Sequence, residues 1–193
     1  AQKKTLAQDM NCIETLAHVD VLCVDKTGTI TQPEMSVREV VPLDEDRCPA
    51  GKVEEIFNAY YRAIDAANDT ARAMAARCHK STIWQVERTV PFTSANKWSA
   101  VVFRGYGAYV VGAPEFIMKA RYADLEHMVA PYQAQGCRVL LLAKCAGAPT
   151  MEGGIVGGVE PLALAVISNP VRAEAPDTFR YFAQQGVTVK VIS

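Results

Sequence analysis

The stretch VDVLCVDKTGTIT, residues 19–31, joins a largely apolar, β-branched run to an aspartate and a short turn that contains Gly28. A continuously apolar strand is typical of a buried parallel sheet. Polar groups just beyond the end of such a strand lie where open α/β sheets bind their ligands. The stretch therefore predicts an α/β fold with a ligand site at Asp25. Ahead of it, apolar residues at helical spacing predict an amphipathic helix over residues 3–17.

The other end of the chain carries a similar pattern. A strand predicted over residues 162–167 is followed by a helix over residues 174–185 and an apolar strand over residues 187–192. This order predicts a second piece of parallel sheet. The residues between the two ends alternate strands and helices in a mixed pattern typical of an α+β domain. We therefore expect one split domain, residues 1–37 and 161–193, and an inserted domain, residues 38–160.

The composition is that of an ordinary globular protein. The 193 residues are 50% hydrophobic and 21% charged, with a net charge of −1, which excludes intrinsic disorder. The near-neutral charge and the lack of a basic run argue against nucleic-acid binding. Six cysteines occur without a CxxC pair, so neither a disulfide scaffold nor a structural zinc site is expected. The chain does not begin with Met, and we expect it to be a piece of a longer protein.

The string Asp25-Lys26-Thr27-Gly28-Thr29 has the features of a phosphoryl-transfer site. A carboxylate at the tip of a buried strand is held rigidly and can act as a covalent nucleophile, giving an aspartyl phosphate. The backbone N–H groups of a glycine-containing turn can bind phosphate oxygens. Because the carboxylate and the phosphoryl group are both anionic, Mg²⁺ is expected between them. An aspartate that merely begins a turn is the alternative interpretation.

The sequence DKTGTIT, residues 25–31, resembles the phosphorylation motif of the P-type (E1–E2) cation-transporting ATPases. In that family a haloacid-dehalogenase-like, Rossmann-type phosphorylation domain is interrupted by a nucleotide-binding domain with a mixed antiparallel sheet. The resemblance implies this α/β layout here, with the phosphorylation domain, truncated, in the two terminal pieces and the nucleotide-binding domain in residues 38–160. Further segments resemble motifs of the family: ANDTA (67–71), PFTSANKWS (91–99), VGAPE (111–115), GCRVL (136–140) and SNPVR (168–172).

The resemblance implies roles for residues in these segments. Phe92 would stack on adenine, and Gly112 and Ala113, being small, would let the nucleotide approach the backbone. The charged residues implied at the nucleotide are Asp69, Lys97, Arg138 and Arg172. Two positions depart from the family pattern: Val111 stands where the family has Lys, and Asn169 where it has Asp.

The residues by themselves leave alternatives open. A phenylalanine at the end of a strand, such as Phe92, is usually a core residue. Arg138 also fits an exposed arginine at the start of a strand, and Asp69 fits a carboxylate that the dipole favours at a helix N-terminus.

The resemblance also implies the catalytic group. Asp25 would be the phosphorylated nucleophile, with Lys26 and Thr27 beside it and Ser193 at the position of a family hydroxyl. Mg²⁺ would be held by the Asp25 carboxylate and the Thr27 backbone oxygen.

The function implied is that of the cytosolic ATP-binding and phosphorylation fragment of an ATP-driven cation pump, at the cytoplasmic face of the cell membrane. Its cofactors would be ATP and Mg²⁺. Its partners would be the remaining pump domains and a cation carried by a membrane domain, with Ca²⁺ and Mg²⁺ as the candidate ions. The fragment alone is expected to be inactive. One alternative is a free-standing haloacid-dehalogenase-type phosphatase, although Thr27 stands where such enzymes carry a general acid/base Asp. The other is a non-catalytic nucleotide-binding module.

Overall fold

The computed structural model describes residues 11, 14, 15 and 18–192. The helix predicted over residues 3–17 lies almost entirely outside the described residues, and so does Ser193. The chain divides into two compact units. One unit comprises residues 1–33 and 170–193, which we call the terminal unit. The other comprises residues 34–169, which we call the inserted unit.

The described residues form eight strands and five helices. The strands are β1 (Val21–Asp25), β2 (Ser36–Pro42), β3 (Val86–Val90), β4 (Trp98–Phe103), β5 (Gly107–Gly112), β6 (Arg138–Cys145), β7 (Val159–Ser168) and β8 (Thr188–Ile192). The helices are α1 (Ala50–Ala63), α2 (Asp69–Arg77), α3 (Pro114–Met118), α4 (Ala123–Ala134) and α5 (Ala175–Gln184). A single 3-10 turn, Lys119–Arg121, separates α3 from α4.

The terminal unit is built on a parallel pair of strands. β1 pairs with β8, with Val21 opposite Thr188 and Asp25 opposite Ile192. Helix α5 precedes β8 and has Pro176 in its first turn, where the missing N–H of proline costs nothing. Strands from the two ends of the chain therefore share one parallel sheet, as their sequence pattern predicts.

The burial of β1 differs from the expectation for a buried parallel strand. Val21 is 41% exposed and Cys23 is also exposed, whereas Leu22 and Val24 are half-buried. In the described part of the chain, β1 has β8 as its strand partner. Its apolar run is thus packed mainly on one face.

The inserted unit contains a six-stranded antiparallel sheet in the order β2-β7-β6-β5-β4-β3. Alternate residues of its strands point to opposite faces. One face packs on α1 and α2 through residues such as Tyr60, Met74 and Phe103. The other face packs on α3 and α4 through residues such as Ile117 and Val129. Strand β4 is therefore buried along its whole length.

The position of β7 corrects one expectation from the sequence. Its apolar run was expected to join the parallel sheet of the terminal pieces, but β7 is antiparallel to both β2 and β6 in the inserted unit. A central antiparallel strand covered by helices on both faces is as continuously apolar as a parallel one, so the pattern does not separate the two. The unit boundaries accordingly fall near residues 33 and 169, not at 37 and 160.

Candidate functional site

Asp25 ends β1 and leads into a tight turn. Its side chain is exposed, and its Oδ1 accepts a hydrogen bond of 3.3 Å from the Thr27 backbone N–H. The turn closes with a 3.1 Å bond from the Thr31 N–H to the Lys26 carbonyl. Gly28 lies within it at φ +77°, a conformation that side-chain-bearing residues rarely adopt. The turn thus holds the carboxylate at the strand tip, where an incoming group can reach it.

Thr31 anchors this turn from inside. Its side chain is only 5% exposed. Its hydroxyl donates to the Lys26 carbonyl and accepts from the Gly28 N–H, both at 3.3 Å. The Thr31 hydroxyl therefore gives a hydrogen-bond partner to two backbone groups of a turn that lacks regular helix or strand pairing. Polar groups that are buried require such partners. The sequence alone predicts no role for Thr31, although it is the last residue of the DKTGTIT segment.

Arg172 contacts the same turn from the other end of the chain. Its Nη2 donates to the Gly28 carbonyl at 3.1 Å, and its backbone N–H donates to the Ile30 carbonyl at 2.9 Å. The structure places Arg172 in the terminal unit, whereas the sequence prediction placed it among nucleotide-binding residues. In this chain its guanidinium supports the turn that carries Asp25.

The inserted unit contains a cavity of about 840 Å³. Phe92 is 41% exposed and lines this cavity, beside residues from the ends of β4, β5 and β6. Five of the predicted nucleotide-binding residues, from three segments of the sequence, line it together: Phe92, Lys97, Gly112, Ala113 and Arg138. Its size is that of a typical small-molecule site.

The wall of the cavity is charge-balanced and partly apolar. The charged residues that line it are two acids and two bases, Asp65, Glu115, Lys97 and Arg138. Val111 also lines the cavity and is 3% exposed. Its apolar side chain occupies the position where the P-type ATPases have a lysine. A ligand with several negative charges therefore meets only two cations here.

Arg138 is held at the cavity by a neighbour. Its Nη1 donates to the Thr70 hydroxyl at 2.9 Å, and Thr70 also lines the cavity. Thr70 stands in the first turn of α2, which Asn68 caps by accepting a 2.8 Å bond from the Ala71 N–H. Neither Thr70 nor Asn68 is predicted from the sequence, where the family resemblance points to the residue between them.

That residue, Asp69, is exposed and forms an ion pair with Arg72 one turn along α2. It is not among the residues that line the cavity. Asn68 and Thr70, on either side of Asp69 in the sequence, line the cavity instead.

The remaining predicted residues lie in the terminal unit or outside the described residues. Lys26 is half-buried and Thr27 is exposed in the turn after Asp25. Ser193 is not described. Within the described residues no group of three or more His, Cys, Asp or Glu side chains could hold a metal ion. None of the helices in the described part of the chain is long and apolar enough to cross a membrane.

Comparison with known proteins shows what this arrangement is similar to. No family model matches the chain. The structure resembles a crystal structure of a zinc-transporting PIB-type ATPase in the E2·Pi state, with a TM-score of 0.62 and 17% identity over 93% of this chain and 26% of that one. The fold is therefore a mixed α/β fold of the kind found in P-type ATPases.

Sequence relatives are consistent with the structural likeness. The chain is 42% identical over its whole length to the calcium-transporting ATPase CtpE of Mycobacterium tuberculosis, of which it covers 24%. It is 34% identical to the probable cation-transporting ATPase exp7 of Streptococcus pneumoniae, over 99% of this chain and 24% of that protein. Over its whole length the chain is similar to P-type cation-transporting ATPases, and it spans about a quarter of the length of these relatives.

Proposed function

We propose that this chain is the ATP-binding and phosphoryl-accepting segment of an ATP-driven cation pump, at the cytoplasmic face of the membrane. The observation that carries the proposal is the cavity of the inserted unit, where five residues predicted from separate motifs line one space. Its partners would be ATP, the remaining domains of the pump and the transported cation.

Different residues of the cavity would bind different parts of ATP. The exposed ring of Phe92 offers a face on which adenine can stack, a contact that suits a preformed slot. Lys97 and Arg138 supply the two cations for the phosphates. Because Val111 adds no third cation and two carboxylates also line the cavity, ATP should bind weakly, with a Kd on the order of millimolar.

Asp25 would carry the covalent step. A carboxylate oxygen of Asp25 forms a bond to the γ-phosphorus of ATP while the bond from that phosphorus to the bridging oxygen breaks, and ADP leaves with the electron pair. The exposure of Asp25 at the strand tip allows this attack. Thr27, two residues later, has no acid/base group, so the phosphoenzyme would be long-lived and a phosphatase activity is disfavoured.

The described residues are compatible with Mg²⁺ as a cofactor. Mg²⁺ is commonly bound through one or two carboxylates together with substrate phosphates, so a dedicated cluster of ligands is not needed. The residues that would hold it are Asp25, through its exposed carboxylate, and Thr27, through its backbone oxygen. Bound there, it would neutralise charge between the carboxylate and the phosphoryl group.

We also propose the finer fold assignment. The parallel pair β1 and β8, the intervening α5 and the aspartate at the tip of β1 support a haloacid-dehalogenase-like phosphorylation domain in the terminal unit. The antiparallel sheet and the cavity support a nucleotide-binding domain in the inserted unit.

A titration with ATP tests the nucleotide half of the proposal. Amide shifts in the NMR spectrum of the chain should cluster at the cavity, and Phe92→Ala should weaken ATP binding about tenfold, as expected for the loss of one base-stacking contact. The matched control is Phe116→Ala, since Phe116 is equally exposed, at 40%, but does not line the cavity. Shifts that cluster elsewhere, or equal effects of the two substitutions, would contradict the proposal.

A further inference from the structure

Ser99 is a buried polar residue in the wall of the cavity. It lies in β4 opposite Val111 of β5, and both residues line the cavity. Ser99 is only 7% exposed and is surrounded by buried apolar neighbours in the same sheet. Its hydroxyl is within hydrogen-bonding distance, 2.9 Å, of the Tyr60 hydroxyl from α1. Ser99 is the last residue of the segment PFTSANKWS, and the sequence alone predicts no role for it.

The direction of this hydrogen bond follows from the surroundings of Tyr60. Tyr60 has no exposed surface, and burial raises its pKa, so its phenol keeps its proton at neutral pH. Ser99 borders the cavity and can turn its own proton there, whereas the fully buried phenol of Tyr60 cannot. Among the described hydrogen bonds, Ser99 Oγ is then the acceptor available to the phenol proton.

This arrangement leaves the hydroxyl proton of Ser99 without an acceptor among the described hydrogen bonds. A hydroxyl carries one donor and two acceptor sites, and the phenol occupies one acceptor site. A buried donor with no acceptor costs free energy until a ligand supplies one. The remaining direction open to the proton is the cavity that Ser99 lines.

We propose that Ser99 is a specificity-determining residue of the cavity, and that its hydroxyl donates to an unprotonated ring nitrogen of the purine base. The inference rests on the proposed function. A neutral donor beside apolar walls suits a neutral acceptor, whereas Lys97 and Arg138, both exposed, suit the charged phosphates. Tyr60 is a positioning residue. Because its phenol donates to the Ser99 oxygen, the hydroxyl proton of Ser99 is directed into the cavity.

The test removes each partner of the bond in turn. ATP and its 1-deaza, 3-deaza and 7-deaza analogues, each lacking one ring nitrogen, are titrated into the wild-type chain, Ser99→Ala and Ser99→Thr, by calorimetry or NMR. We expect Ser99→Ala to weaken ATP binding about threefold to tenfold, and Ser99→Thr, which keeps the hydroxyl, to restore most of it. The analogue that lacks the nitrogen contacted by Ser99 should bind the wild type about threefold to tenfold more weakly than ATP does. In Ser99→Ala, this analogue and ATP should bind with equal affinity.

The outcomes separate this inference from the proposed function. The role of Ser99 would be refuted if Ser99→Ala bound ATP within twofold of the wild-type affinity. It would also be refuted if every analogue lost the same affinity in both proteins. Either result would leave the proposed nucleotide site unchallenged. Failure of the wild type to bind ATP at the cavity would overturn the proposed function and this inference with it. If Ser99→Ala does not fold, the analogue series on the wild type decides, since equal binding of all three analogues and ATP would refute the bond.

Discussion

Substitution of Gly112 by alanine probes how the cavity is built. Gly112 ends β5 opposite Trp98, the first residue of β4. A Cβ at Gly112 would lie 2.4 Å from the Lys97 carbonyl oxygen and 2.5 Å from both Cα and Cβ of Trp98. Most of these are backbone atoms, so a side-chain rotation cannot relieve the clash. The start of β4 would have to move by about 1 Å to restore ordinary contact.

The same movement would break a local hydrogen bond. The Lys97 carbonyl accepts a 2.9 Å bond from the Ala113 N–H, and Lys97 itself has φ +59°. Overpacking of this kind costs about 1–3 kcal/mol, and a lost hydrogen bond adds about 1 kcal/mol. Gly112→Ala should therefore lower the free energy of unfolding by about 2–4 kcal/mol and the melting temperature by roughly 5–15 °C. ATP affinity should fall as well, because Lys97, Gly112 and Ala113 all line the cavity.

Calorimetry and urea denaturation measure the stability, and an ATP titration measures the affinity. The matched control is Gly51→Ala in the first turn of α1, where an added Cβ meets nothing within 4 Å. That change should stabilise the chain by about 0.5–1 kcal/mol, since alanine favours a helix. A Gly112→Ala protein as stable as Gly51→Ala would refute the argument that close backbone contact requires glycine here.

Two further predictions concern pH and the turn at Asp25. Burial raises the pKa of the Cys145 thiol from 9.0 to about 11, so the unfolded state loses this proton first as the pH rises. The free energy of unfolding should fall with rising pH between about pH 9 and 11, and urea denaturation should show a flatter profile for Cys145→Ala. Arg172→Met removes the bond to the Gly28 carbonyl and should speed hydrogen exchange of the Thr31 amide about fivefold, the effect of roughly 1 kcal/mol. Arg180→Met, which loses only an exposed ion pair to Asp177, should leave that exchange unchanged, and equal rates in the two variants would contradict the role of Arg172.

Most helices and strands could be predicted from the sequence because periodicity and turn residues report local structure. The helix predicted over residues 174–185 is α5, and the strand predicted over residues 187–192 is β8. The pairing of β7 could not be predicted in the same way. A central strand of either sheet type is apolar on both faces, and only the tertiary contacts choose its neighbours.

The motifs identified most of the cavity but not the residues that position its groups. Phe92 and Arg138 were found because their segments resemble a family pattern. Thr70 and Ser99 act through side-chain hydrogen bonds to Arg138 and Tyr60, which lie 68 and 39 residues away in sequence. The contact between Arg172 and Gly28 spans 144 residues. No local pattern reports such contacts, because they depend on how distant segments pack.

The central claim is that Asp25 accepts the phosphoryl group of ATP, and a phosphoenzyme assay tests it most directly. A protein of the relatives' full length that carries this segment is incubated with Mg²⁺ and ATP radiolabelled in its γ-phosphate, then quenched in acid. We predict an acid-stable, hydroxylamine-sensitive label that is absent in Asp25→Asn and retained in Asp20→Asn, where the exposed aspartate precedes β1. Asp25→Asn should still bind ATP, because the cavity residues are unchanged. A label that persists in Asp25→Asn would contradict the account.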